Sequence, residues 1–346
     1  TEDARLSGRL TPPNTFYLST NMTVTKRHLL SVLIAFCTSF VTTLRASQQV
    51  DDNKPQTSVY SDDDCKKAFA DYMNGKAKAY GMLDSHFCEA SGYTAGNSSI
   101  TPLDALKLAM QADGNSVIAS VWGQTTYEMH VRGPHERVDT LQSKGRSPFT
   151  SCYHLLGSKT GTLSGCHNAV YICDAPDGNK YAAVIINSSW EQRWSDAKKL
   201  IDIANRKYKD PNAKISDIKM LATGAAVCII PRKPFFTFYQ HAPRLLYCKD
   251  LTTKQLPASV TKTVTALCMT DWIKNLDDTL CIKKGDIMPG SGPRFQVGDV
   301  ITYRDALYAM FLPSSNTAAV AISREVGLKI LNKKKQSVAN ESSSND

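Results

Sequence analysis

Along residues 65–80 the apolar positions Phe69, Tyr72, Met73 and Ala77 recur at helical spacing, which predicts a helix there. Thr101-Pro102-Leu103-Asp104 reads as a helix start, with Thr101 as N-cap, proline in the first turn, and Ala105, Leu106, Leu108 and Ala109 following. The period then changes. The apolar runs Ala169–Cys173 and Tyr181–Ile186 are strand-like and flank Pro176-Asp177-Gly178-Asn179, a hairpin signal. Residues 190–206 return to helical spacing, with Trp190, Trp194, Ala197, Ile201 and Ala204 on one face; Lys207–Lys214 reads as a loop. Residues 222–249 read as two further strands with a turn near Pro231–Pro234, and helical patterns dominate 260–275 and 303–325. The expected fold class is therefore α/β of the α+β kind. An antiparallel sheet flanked by helices occupies 151–258, and a helical subdomain is split between 65–150 and 260–330. Residues 47–64 are acid-rich and read as a linker. Residues 331–346 are rich in lysine, serine and asparagine and read as a disordered tail.

Composition alters this picture little. A chain of 346 residues with 42% hydrophobic and 21% charged residues is ordinary for a globular protein and has enough apolar material for a sizeable core. The net charge of +9 favours an anionic surface or polymer such as a cell envelope, and no nucleic-acid motif accompanies it. The ten cysteines form no CxxC pair and no zinc-type spacing, which argues against a metal site and leaves disulfide pairing open. Residues 1–46 read as a leader. From Met22, taken as the start, a basic Lys26-Arg27-His28 precedes a mostly apolar run, Leu29–Leu44, with Ala46-Ser47 as a cleavage point. That is the layout of a secretory signal peptide, so the expected location is extracytoplasmic; an uncleaved leader would give membrane association.

Three short motifs carry candidate chemistry. Ser259-Val260-Thr261-Lys262 places a lysine one helical turn after a serine, so both share a face and the lysine can serve as base for the hydroxyl. The same spacing occurs at Ser195–Lys198 and Ser216–Lys219, but in polar surroundings; only Ser259 opens a mostly apolar helix after a proline. Ser314-Ser315-Asn316 lies on a turn between two helical stretches, where Ser314 can relay a proton and Asn316 can hold the lysine and substrate. Further copies of this pattern, Ser19–Asn21 and Ser343–Asn345, fall in the leader and the tail. Lys159-Thr160-Gly161, which occurs once and runs into Thr162, puts a cation and hydroxyls on a strand, with a glycine allowing close backbone approach.

This trio, with its flanks, resembles low-molecular-mass penicillin-binding proteins, the serine-type D-alanyl-D-alanine carboxypeptidases of the β-lactamase-like transpeptidase superfamily. The flanks LLYCKDLTTKQLPASVTKTVTAL, ITYRDALYAMFLPSSNTAAVAIS, KAKAYGMLDSHFCEASGY and GSKTGTLSGCHNAVYICDAPDGNKYAAVII carry the likeness across residues 65–330. The family runs SxxK, SxN, KTG; here KTG comes first, so the resemblance is to a circularly permuted member. It implies that Ser259 attacks the carbonyl before the terminal D-alanine of a peptidoglycan stem peptide and that Lys262 accepts its proton. Ser314 would relay the proton, Asn316 would position Lys262 and the substrate amide, and Lys159 and Thr160 would bind the carboxylate. The backbone N–H groups of Ser259 and Thr162 would form the oxyanion hole. β-Lactams are the implied inhibitors, and no cofactor or metal is implied. A β-lactamase or an inactive envelope scaffold are the alternatives; no ExxLN-like segment lies between the second and third motifs read cyclically.

Overall fold

The computed structural model describes residues 60–94, 96–145, 153–174, 178–230 and 243–343. The leader, most of the expected linker, the hairpin tip Pro176-Asp177 and the turn Pro231–Pro234 lie outside them.

The architecture is mixed α/β, a five-stranded antiparallel sheet flanked by helices. Strands β3 (His154–Leu163), β4 (Cys166–Asp174), β5 (Lys180–Ser188), β6 (Gly224–Ile230) and β7 (Arg244–Lys249) lie in sheet order β3-β4-β5-β6-β7. Side chains alternate along a strand, and here both faces are covered. Ala169, Tyr171, Cys173, Tyr181, Ala183 and Ile185 pack against Leu200, Ile201 and Ala204 of helix α4 (Gln192–Lys209). The intervening Val170, Ile172, Ala182, Val184 and Ile186 face the larger core. That core is built by α1 (Asp62–Ala79), α2 (Pro102–Gly114), α3 (Ser116–Val121), α5 (Thr261–Trp272), α6 (Tyr303–Phe311) and α7 (Asn316–Ser343). Because both faces are buried, the strands read as continuous apolar runs rather than alternating ones. Two small hairpins complete the fold, β1 (Thr126–Val131) with β2 (Arg137–Gln142) and β8 (Thr279–Cys281) with β9 (Val300–Thr302).

The structure corrects four expectations. The linker does not reach residue 64: Ser61 and Asp64 form a reciprocal capping box, and Asp62, Asp63 and Asp64 fill the first turn of α1, where negative charge meets the positive helix end. The tail is not disordered through its described part, because α7 continues to Ser343. Its buried first turns meet the nucleation cost, and Leu331, the lysines 333–335 and Gln336 are good propagating residues. The stretch 65–150 is not purely helical, since β1 and β2 fall within it. Helix α4 begins at Gln192, leaving Trp190 outside it, and runs on through Lys209 into the expected loop. The eight described cysteines are free thiols.

Candidate active site

Strand β3 is an edge of the sheet, so alternate backbone groups along it have no strand partner on the outer side. Against it packs the turn that carries Ser259. Residues Ala258–Val260 form a 3-10 turn leading directly into α5. The approach is close: a Cβ on Gly161 would stand 2.8 Å from the Pro257 oxygen and 3.2 Å from the Ala258 Cβ, so only glycine fits there without displacement. Asn168 of β4, fully buried, donates to the oxygens of Leu256 (2.8 Å) and Pro257 (3.1 Å) and ties the turn to the sheet. Ala258 is held at φ 48° and Ser314 at φ 68°. Such conformations cost a non-glycine residue about 1–3 kcal/mol and persist only where neighbours over-determine them.

All three motifs meet in this region. Lys262, fully buried, has its Nζ 2.8 Å from Ser259 Oγ, 2.7 Å from Asn316 Oδ1 and 2.6 Å from the Ser91 carbonyl oxygen. All three partners can accept from a charged Lys262; when the amine is neutral, the amide and carbonyl oxygens take its two N–H groups and its lone pair is left for the serine hydroxyl. Burial pushes the Lys262 ammonium down to about 7, opposed by Glu89 and assisted by Lys144. Lys159, also buried, donates to Ser314 Oγ (3.0 Å) and to the Thr160 oxygen (2.9 Å). Burial, with Lys262, Lys144 and Arg193 nearby, holds its ammonium well below the usual lysine range.

A cleft of about 170 Å³ opens onto these groups, lined among others by Ser259, Ser314, Asn316, Thr160 and Thr162. Lys159 and Gly161 do not line it. Lys159, expected to bind a carboxylate, bonds to Ser314 Oγ, which does line the cleft. Asn316 donates one of its two amide N–H groups to the Pro289 oxygen at 2.7 Å. The cleft cation that the sequence reading missed is Arg193, in the first turn of α4. Its guanidinium lies 4.6 Å from the Trp190 ring centroid and 4.7 Å from that of Trp194, and donates to Thr162 Oγ1 at 2.9 Å. The signal was present as an arginine three residues after one tryptophan and one before another; those tryptophans read as a core face instead. Lys144 also lines the cleft, 2.9 Å from Ser291 Oγ, and among the described residues no aspartate or glutamate does. The other serine–lysine pairs lie away from the cleft: Ser195 is partly exposed and bonded to Gln192, Lys198 pairs with Asp202, and Ser216 and Lys219 are exposed. Among the described residues no group of three or more His, Cys, Asp or Glu gathers as a metal site. No described helix is long and apolar enough to cross a membrane.

Comparison of the chain with protein-family models, curated proteins and solved structures finds no match in any of the three. The chemistry of the site rests on its geometry.

Proposed function

We propose that this chain is a serine-type D-Ala-D-Ala carboxypeptidase, with a circularly permuted transpeptidase-like fold, that acts outside the cytoplasm on peptidoglycan stem peptides. The observation that carries the reading is that the three motifs meet at one cleft: Ser259, Ser314, Asn316 and Thr160 line it, while Lys262 bonds to Ser259 and Asn316 and Lys159 bonds to Ser314 from within the wall.

In this mechanism the substrate backbone lies along the outer edge of β3, with its terminal carboxylate at the Arg193, Thr162 and Thr160 end. Arg193 offers a planar donor array, pre-oriented by the two tryptophans, in a cleft whose described lining carries no acidic residue. Ser259 Oγ attacks the carbonyl of the penultimate residue as its proton passes to the Lys262 lone pair. With its midpoint near 7, Lys262 is substantially neutral at physiological pH and suits the role of base. The oxyanion forms against the backbone N–H groups of Ser259 and Thr162, each donor worth a few kcal/mol. Collapse of the tetrahedral intermediate breaks the C–N bond. The proton reaches the leaving amine through Ser314, whose hydroxyl the Lys159 ammonium orients. Water then attacks the acyl-enzyme ester by the same route, restoring Ser259 and releasing the shortened peptide.

A β-lactam presents a strained amide and a carboxylate in the same relation, so it acylates Ser259. The test is labelling with a fluorescent penicillin, followed by mass analysis of the adduct. One acyl group on the Ser259 peptide is expected, and Ser259→Ala should reduce the labelling rate at least about 10³-fold. Absence of an adduct, or equal labelling of Ser259→Ala, overturns the reading.

A further inference from the structure

The Lys262 ammonium is held partly by the carbonyl of Ser91, a residue far from all three motifs in the chain. The segment Glu89-Ala90-Ser91-Gly92 is pinned from several sides. Glu89 accepts from the Ser91 N–H at 2.5 Å through one carboxylate oxygen and from the Thr94 N–H at 3.4 Å through the other. Ser91 Oγ accepts from the Tyr93 N–H at 3.0 Å. Thr265 of α5 donates to the Ala90 oxygen at 2.7 Å. Gly92 lies directly on the Ala258 carbonyl beside Ser259. The turn therefore touches the nucleophile's own turn, the base and the helix bearing that base.

We infer that Glu89 is a positioning residue for the base: it folds the turn that presents the Ser91 carbonyl to Lys262 and places a carboxylate charge behind that ammonium. The inference rests on the proposed role of Lys262 and adds to it a second control, located outside the catalytic cleft. Glu89 does not line that cleft. It borders a separate cavity of about 410 Å³ between α1, the 86–90 segment and α7, together with Lys66, Lys67, Asp71 and His86. The charged groups acting on Lys262 are thus Glu89 from this turn and Lys144 of the cleft, with the buried Lys159 of β3 feeling the Lys262 charge in turn.

The carboxylate favours the charged form of Lys262, so removing its charge moves the Lys262 titration to lower pH. Glu89→Gln keeps an oxygen to accept from Ser91 and removes only the charge; Glu89→Ala removes both. The experiment titrates Lys262 directly by carbon NMR on protein labelled at the lysine Cε, with Lys262→Met assigning the resonance, and in parallel follows penicillin acylation from pH 5 to 9. The expected result for Glu89→Gln is a midpoint lowered by about 0.5 unit or more in both measurements, with faster acylation at pH 6 and an unchanged plateau at pH 9. Glu89→Ala should show the same displacement and a lowered plateau as well. A merely structural role lowers acylation at every pH and leaves the midpoint in place, and an unmoved midpoint in Glu89→Gln overturns the inference. The NMR titration needs no catalysis. A wild-type protein that titrates as described but takes up no penicillin would sink the proposed function and leave this inference standing.

Discussion

At the scale of single residues, the notable choice is a lysine where an apolar side chain would be expected. Lys262 sits in a helix whose residues Thr261–Met269 are all buried, and no carboxylate pairs with it directly. Its folded midpoint, about 7, lies far below the value near 10.4 that a lysine has in an unfolded chain. The sign of the linkage follows. Below pH 7 the group is charged in both states, and the folded state carries the full desolvation cost. Between about 7 and 10.4 the unfolded chain binds more protons, so the wild-type protein gains stability as pH rises. Above that range both states are neutral and the cost is gone. Lys262→Met should therefore abolish acylation while raising stability relative to wild type by roughly 1–3 kcal/mol at pH 6, and the gain should shrink steadily towards pH 10. Urea unfolding of both proteins at several pH values measures it. A stability difference independent of pH would show that Lys262 is not the burdened group described here.

Among the elements, the turns of the candidate site depend on backbone approach that no side-chain inventory reveals. Gly92 has φ 69°, and a Cβ there would sit 1.9 Å from the Ala258 oxygen. Gly92→Ala is expected to cost at least about 2 kcal/mol and to reduce acylation by pushing the Ser259 turn off β3; thermal unfolding and penicillin labelling check both. Labelling at the wild-type rate would mean the turn tolerates displacement. This contact also explains what was legible in the sequence. Ser259, Lys262, Ser314, Asn316 and Lys159 could be picked out because short spacings fix them within one turn or strand. Arg193 and Glu89 act across distances of chain that spacing does not constrain, and their neighbours, two tryptophans and a Ser-Gly turn, carry equally good structural meanings. The buried sheet was readable from its continuous apolar runs. The β1–β2 hairpin was not, since it is short and half exposed, with a burial pattern that alternates only partly. The start of α1 and the end of α7 were misplaced for a related reason: polar composition suggested linker and tail, whereas capping and propagation extend both helices.

For the whole molecule, the proposed rearrangement of the chain makes a topological claim that can be put to the test. The segment 210–223 joins α4 to β6, and β6 pairs antiparallel with β5 across that connection. On the helical side, Gly327 of α7 lies so close to α1 that a Cβ on it would stand 1.9 Å from the Cys65 oxygen. Ser61, which caps α1, is one helical turn from Cys65, or about 5.4 Å along the axis. A linker of about five glycine and serine residues, at up to about 3.5 Å each, therefore spans from Gly327 to Ser61. Joining these two residues and opening the chain within 211–219, where side chains are mostly exposed, would restore the family's motif order, Ser259 before Ser314 before Lys159. Such a protein omits the buried Ile330, so its unfolding temperature should fall, by an amount corresponding to about 2–4 kcal/mol. Its circular dichroism and its rate of penicillin acylation at Ser259 should match those of the present chain, because the catalytic groups meet through packing and not through chain order. A rearranged chain that folds with the same spectrum but labels more than tenfold slower would show that the present order of segments shapes the site. One that never folds under conditions where the present chain does would count against the rearrangement itself.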